Sequence, residues 1–216
     1  METLTLAVPT GRLWDDSVQL LREVGIPLDP AREDRSLVAD YAGSVRVIAA
    51  KPTDLLTYVE QGAADAGIIG RDMLLEQARD VYELLDLGFA ACRAVVALPE
   101  ARVDGLWHPG RMLRVATKYP RLTARYFEEV GRPVEVVVLY GTVELAPQVG
   151  LADGIVDLVM TGRTLRANGL REVAEIARST ARLVVNRSSL SASLRVPEFV
   201  RRLERLLARK PGGVHA

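Results

Sequence analysis

The chain has 216 residues, 49% of them hydrophobic and 26% charged, and Lys plus Arg equals Asp plus Glu at 28 each, for a formal net charge of zero. That balance gives no electrostatic footprint for a nucleic acid, and no apolar run approaches the roughly 18 residues that span a bilayer. The single cysteine, Cys92, excludes an intramolecular disulfide, and the opening METLTLAVPTGRLWDDS lacks the basic region and apolar run of a secretory signal, so a cytoplasmic protein is expected.

In chain order, LTLAV (4–8) predicts a strand, Trp14 to Val24 a helix, VRVIA (45–49) a strand, Thr53 to Gln61 a helix, AGIIG (66–70) a strand and Arg71 to Gln77 a helix. Further strands are predicted at AVVAL (94–98), LRVAT (113–117), VEVVVL (134–139), DLVM (157–160) and ARLVVN (181–186). Helical patterns fill Pro120 to Val130, Thr142 to Val149, Leu170 to Ala177 and Pro197 to Arg209. Strands apolar on both faces, alternating with helices, predict an α/β fold with a largely parallel sheet covered on both sides. Asp54 is placed to cap the helix after Pro52, while Pro120 and Pro197 suit a first helical turn. PEARVDGLWHPGRM (99–112) lacks periodicity and is expected to be a loop anchored by Trp107, and the tail RKPGGVHA (209–216) is expected to fray.

Chemistry concentrates in a few turns. DLVMTGRTLRANGL (157–170) is a hydrophobic run that breaks into Thr161-Gly162-Arg163-Thr164 before a helix-like segment. Gly162 lets the backbone turn its N–H groups toward an anion, Thr161 and Thr164 supply hydroxyls, and a helix N-terminus adds partial positive charge. Asp157, an acceptor-only carboxylate, can hold ribose hydroxyls. The four-residue turn alone is common in α/β proteins; with GIVDLVM before it, a phosphate-binding role is favoured. PTGRLWDDS (9–17) is a second glycine turn at a strand's carboxyl end, where Arg12 either grips a phosphate or is a solvated charge beside a turn glycine. In GAADAGIIGRDML (62–74), Asp65 and Asp72 either contact a ligand or satisfy local backbone and helix-dipole needs. Lys118 and Tyr119, at a strand end in ATKYPRLTARYF (116–127), suit a nucleotide. His108, His215 and one cysteine cannot build a zinc site, and neither a nucleophile elbow nor a Walker A pattern occurs.

GRL (11–13), ADAGIIGRDML (64–74), CRAVVALP (92–99), RVATKYPRLTARYF (114–127) and GTVELAPQVGLADGIVDLVMTGRTLRANGLREV (141–173), in this order, resemble the ATP phosphoribosyltransferase family of histidine biosynthesis, over roughly residues 4 to 190. The resemblance implies a two-domain fold like type II periplasmic binding proteins, with the active site in the interdomain cleft. Domain I would comprise 1–92 plus 180–216, and domain II, 93–179, would carry the loop for phosphoribosyl pyrophosphate (PRPP). The chain looks like the family's short form, which implies a catalytic subunit, a homodimer within a hetero-oligomer whose separate regulatory subunit resembles a histidyl-tRNA synthetase and which histidine inhibits.

In that family, N1 of the ATP adenine displaces pyrophosphate from C1 of PRPP with inversion, with Mg²⁺ bound to the diphosphate rather than to a protein metal site. Because N1 has a free lone pair, no general base is required. By resemblance, Thr161, Gly162, Arg163, Thr164 and Leu165 form the 5-phosphate loop, and Asp157 lies under the ribose, with Asp153 or Glu144 as a second acid. Arg12 faces the pyrophosphate, with Arg35 and Lys51 as further candidates. Gly11, Leu13, Asp72, Lys118 and Tyr119 are the nucleotide contacts. Two departures stand out: Thr10 occupies the position before GRL where the family often has Lys, and Val156 and Leu158 flank a lone Asp157 where other PRPP sites carry an acidic pair. A ligand-binding module of the same fold without chemistry is the alternative.

Overall fold

The computed structural model describes residues 3–28, 37–41, 44–108 and 110–209; Arg35, His215 and the tail from 210 onward lie outside the described residues. In chain order the elements are β1 (Leu4–Pro9), α1 (Trp14–Glu23), β2 (Val38–Tyr41), β3 (Val45–Ala50), α2 (Pro52–Glu60), β4 (Ala66–Gly70), α3 (Arg71–Gln77), β5 (Tyr82–Asp86), β6 (Cys92–Pro99), α4 (Val103–Leu106), β7 (Leu113–Thr117), α5 (Pro120–Glu129), β8 (Val134–Val138), β9 (Gly154–Val159), α6 (Arg163–Ala167), β10 (Leu170–Ser179), β11 (Ala181–Val185), α7 (Arg187–Ala192) and α8 (Arg195–Leu207). The chain divides into two compact units, Met1–Ala90 with Thr180–Ala216, and Ala91–Ser179. Among the described residues, no helix is long and apolar enough to cross a membrane.

The first unit is a six-stranded sheet in the order β2-β3-β1-β4-β11-β5. β1 is parallel to both β3 and β4, with Leu4 beside Val45 and Pro9 beside Ala50. Strand alternation divides its core between two faces. Leu6, Val8, Val47, Ile68 and Leu183 face α1 and α8 through Val18, Leu21, Phe199 and Leu203. Ala7, Ile69 and Val184 face α2 through Leu55, Leu56 and Val59.

The second unit is a five-stranded sheet in the order β10-β6-β9-β7-β8, with β7 parallel to β8 and β9. Val95, Ala97, Ile155 and Val159 pack with Leu165 of α6 on one face; Val96, Leu98, Val115 and Val156 pack with Phe127 of α5 on the other. Helices on both faces explain why the central strands are apolar throughout.

Several local expectations are corrected. Both sheets are mixed rather than largely parallel: β2, β11, β6 and β10 each run antiparallel to a neighbour. β2 returns into β3 after only three residues, a connection too short for a parallel crossover. The edge strands β2 and β5 and the short α7 were not anticipated, because their exposed or half-exposed residues give little hydrophobic signal. Thr142 to Val149 holds one 3₁₀ turn, Val143–Leu145, and no α-helix; Pro147 removes a donor that a helix needs. Lys51, not Asp54, is the N-cap of α2: Pro52 takes the first helical position and Asp54 sits inside the first turn. The 99–112 loop contains a 3₁₀ turn and α4, and Trp107 lies under the Arg132 guanidinium, 4.1 Å from the ring centre.

The largest correction is Leu170 to Ala177, predicted helical and found in β10, paired antiparallel with β6. Bulges between Glu172 and Ala174 and between Glu175 and Ala177 each insert one residue. Apolar residues therefore recur at 170, 173, 174, 176 and 177, a spacing that mimics a helical face.

Candidate active site

In the second unit, β7 and β9 are parallel, so their carboxyl ends lie on one edge of the sheet, where open α/β sheets collect ligands. Lys118 and Tyr119 follow β7, and the turn Thr161–Thr164 follows β9. A cavity of about 250 Å³ there is lined by Glu144 and by every residue from Asp157 to Leu165. Asp157 is half-buried, two residues before the end of β9 rather than at it, and its Oδ1 accepts the Leu158 N–H at 2.8 Å. Burial pushes its carboxyl above the usual range, and the Glu144 charge adds to this; the Leu158 N–H and the Lys118 charge pull the other way. Two acids and one cation thus converge on the same edge.

The turn itself is built for close approach. Gly162 has φ +71°, a left-handed conformation that disfavours a side chain, and it is the N-cap of α6. The first N–H groups of a helix have no intrahelical acceptor, so those of Arg163, Thr164 and Leu165 are available to an anion. With α6 only five residues long, individual N–H and hydroxyl groups matter more here than a helix dipole. Thr161, Arg163 and Thr164 are exposed, whereas the Leu165 side chain is buried in the core, which restricts Leu165 to a main-chain contribution. Asn168 ties the turn down, donating to the Thr164 carbonyl at 2.9 Å and accepting from Gln148 at 3.1 Å.

Asp153 does not join this group. It precedes β9, at the opposite end of a six-residue strand about 20 Å long. Its Oδ2 accepts the Arg114 N–H at 2.9 Å, its Oδ1 lies 3.8 Å from Arg102, and it lines a separate hollow with those residues. Glu144 is the acid that shares Asp157's cavity. Tyr119 is buried as the N-cap of α5, its N–H donating to Thr117 Oγ1 at 2.9 Å, so Lys118 is the exposed member of that pair.

In the first unit, the parallel β3, β1 and β4 present a second edge of carboxyl ends. Thr10-Gly11-Arg12 follows β1, Lys51 follows β3 and Asp72 opens α3 after β4. The Thr10 N–H donates to the Ala50 carbonyl at 2.9 Å, which sets the glycine turn beside Lys51. Arg12 is exposed and its Nη1 donates to the Ala90 carbonyl at 3.2 Å. Asp72 is buried and folds back over Gly70. Leu13 points into the core and is no ligand contact through its side chain. Asp65 is structural: it accepts the Thr5 N–H at 2.8 Å and the Ser189 hydroxyl at 2.7 Å. Arg166, which no motif had singled out, reaches back along α6 to the Thr161 carbonyl at 3.1 Å; its only signal in the sequence is its position four residues after Gly162.

The family whose model matches the chain is described as HisG: ATP phosphoribosyltransferase, over residues 51–205. A relative, the ATP phosphoribosyltransferase of Moorella thermoacetica, is 50% identical over 202 residues, 89% of this chain and 87% of that protein. A solved structure, the ATP phosphoribosyl transferase (HisG:HisZ) complex from Thermotoga maritima, aligns with a TM-score of 0.82 at 33% identity, covering 96% of this chain and 100% of that one. The probable amino-acid ABC transporter extracellular-binding protein ytmK from Bacillus subtilis aligns with a TM-score of 0.57 at 12% identity, over 96% of this chain and 93% of that one, a likeness that shows the fold alone. The fold is therefore the α/β architecture of type II periplasmic-binding-protein-like proteins.

Proposed function

The chain belongs to the ATP phosphoribosyltransferase family, and from that premise we propose that the cavity at the end of β9 holds the phosphoribosyl group of PRPP. The enzyme joins N1 of the ATP adenine to C1 of PRPP. The N1 lone pair forms the new bond while the C1–O bond to pyrophosphate breaks and its electron pair leaves with the oxygen. No base has to activate N1, so the protein's task is to align two anionic substrates and to neutralise charge on the leaving group.

The observation that carries this reading is the composition of one cavity. Thr161, Gly162, Arg163 and Thr164 line it with N–H and hydroxyl donors suited to a phosphate, and Asp157 and Glu144 line it with acceptors suited to ribose hydroxyls. These are the two ends of a ribose 5-phosphate. Among the described residues no group of three or more His, Cys, Asp or Glu could hold a metal by itself. Magnesium carried on the diphosphate of PRPP would neutralise charge on the leaving group, and the hard oxygens of Asp157 and Glu144 would suit its hydration shell. On the edge formed by β1, β3 and β4, Arg12 and Lys51 are assigned to the pyrophosphate, and Gly11 and Asp72 to the nucleotide; Lys118, at the end of β7, is a separate nucleotide candidate. The solved HisG:HisZ complex supports a second subunit, and we assign this chain as the catalytic partner of a regulatory subunit related to histidyl-tRNA synthetase.

Pyrophosphate release tests the whole reading. It is expected to require both ATP and PRPP, to be weak for the chain alone and to rise when the regulatory subunit is added. Release that ignores PRPP would sink the assignment.

A further inference from the structure

The turn bearing Thr161 and Gly162 is gripped by side chains outside the residues assigned above. Arg166 Nη2 donates to the Thr161 carbonyl at 3.1 Å. A Cβ built on Gly162 would lie 3.0 Å from both Arg166 Nη1 and Glu172 Oε1. These two charges are therefore within about 6 Å of each other, close enough to attract. Glu172 is itself braced. Its Oε2 pairs with Arg93 Nη2 at 3.0 Å, Arg93 Nη1 reaches Glu175 Oε2 at 3.2 Å, and Glu175 Oε1 takes Arg178 Nε at 2.7 Å.

The bulges of β10 build this row. Glu172, Glu175 and Arg178 are three residues apart, a spacing that sends successive members to opposite faces of a regular strand. Here they pair with Ala97, Val95 and Arg93, which alternate by two and share a face. Val95 and Ala97 pack with Leu165, so the charged row lies on the face that α6 covers.

The Thr161–Gly162 peptide is trans and planar, so its C=O and N–H point in opposite directions. Holding the carbonyl on Arg166 turns the Gly162 N–H away from the guanidinium. We propose, on the assignment of this turn to the 5-phosphate, that Arg166 and Glu172 are positioning residues for PRPP. Arg166 sets the direction of the Gly162 N–H toward the phosphate, and Glu172, braced by Arg93, keeps the guanidinium and Gly162 seated. Neither touches the substrate.

Steady-state kinetics of the complex with its regulatory subunit test this, comparing Arg166→Met, Arg166→Lys and Glu172→Gln with Thr164→Val, which removes a hydroxyl assigned to the phosphate. Loss of one charge-assisted hydrogen bond in Arg166→Met should raise KM for PRPP about tenfold and leave KM for ATP within about twofold. Arg166→Lys should recover part of the loss, because an ammonium can donate to the same carbonyl. Glu172→Gln should fall between wild type and Arg166→Met, and its near-equal size keeps the test open if Arg166→Met does not fold. An unchanged KM for PRPP in Arg166→Met and Glu172→Gln, with a raised one in Thr164→Val, overturns the positioning role and leaves the loop assignment standing. No change in Thr164→Val either overturns the loop assignment itself. Equal rises for both substrates in Arg166→Met also overturn the proposal, since they report a collapsed loop rather than a misdirected N–H.

Discussion

Replacing Asp157 by asparagine separates what the ligand asks of this residue from what the fold asks. Asp157 Oδ1 already accepts the Leu158 N–H at 2.8 Å, which leaves Oδ2 as the oxygen for a ribose hydroxyl. One hydrogen bond to a charged acceptor contributes about 1.5–3 kcal/mol, so Asp157→Asn is expected to lower kcat/KM for PRPP roughly 10- to 150-fold, with KM for ATP unchanged. The same change should raise the unfolding temperature of the free chain. Burial, with help from Glu144, holds the Asp157 carboxyl above its ordinary value of 3.8, so in the window between the two values the folded state binds more protons than the unfolded one. Stability then falls as pH rises through that window, and the loss is complete above it. Asparagine carries no such penalty, so the variant's thermal advantage should vanish below pH 3.8 and grow as pH rises through that window. Pyrophosphate release at saturating ATP and varied PRPP measures the first effect, and thermal melts from acid to neutral pH measure the second. Wild-type PRPP kinetics would remove the ribose role. A lower melting temperature at neutral pH would make the carboxylate a structural acceptor for Leu158 and refute the trade between binding and stability.

Two further substitutions probe the geometry around β9. Asp153→Asn keeps an acceptor for the Arg114 N–H and is expected to leave KM for PRPP within about twofold; a tenfold rise in steady-state assays would restore Asp153 to the site. Gly154→Ala would press its Cβ against the Leu98 side chain and within 2.7 Å of the Ala97 carbonyl, where β9 meets β6. Such overpacking costs about 1–3 kcal/mol, or roughly 2–12 °C in unfolding temperature for a chain of this size. An unchanged melt would mean that β6 and β9 part freely.

Much of the fold was legible because the central strands are buried on both faces. AGIIG, AVVAL and ARLVV read as strands without any knowledge of their neighbours, since their apolar runs are short and bounded. The exposed β2 and β5 lack that signal and were missed. The phosphate turn was legible for a similar local reason: glycine, hydroxyls and a strand end are adjacent in sequence. Which acid accompanies Asp157 was not. Asp153 is nearer in sequence than Glu144, yet the length of β9 carries Asp153 to the far end of the sheet, while a turn before the strand returns Glu144 to the near end. For Leu13 and Leu165 the sequence did not show that only the main chain is left to a ligand. Arg12 and Thr164 beside them are exposed, but residues at a helix start also pack its inner face, and these two side chains are core.

The misread helix at Leu170 to Ala177 and the charged row beneath the phosphate turn have one cause. A bulge is a property of a pair of strands, so its extra residue is visible only once β6 is known to be the partner. Read alone, apolar residues three and four apart are helical. Placed against β6, the same spacing lets Val173, Ala174 and Ile176 pack on the α5 side while Glu172, Glu175 and Arg178 gather on the α6 side. An unbulged strand could offer only two of those three charges to one face. Deleting Val173 or Ile176 would leave Glu172, Glu175 and Arg178 in register with Ala97, Val95 and Arg93, so the row should survive while the α5 side loses a packed side chain. The irregularity that defeated the periodicity is the feature that braces the turn.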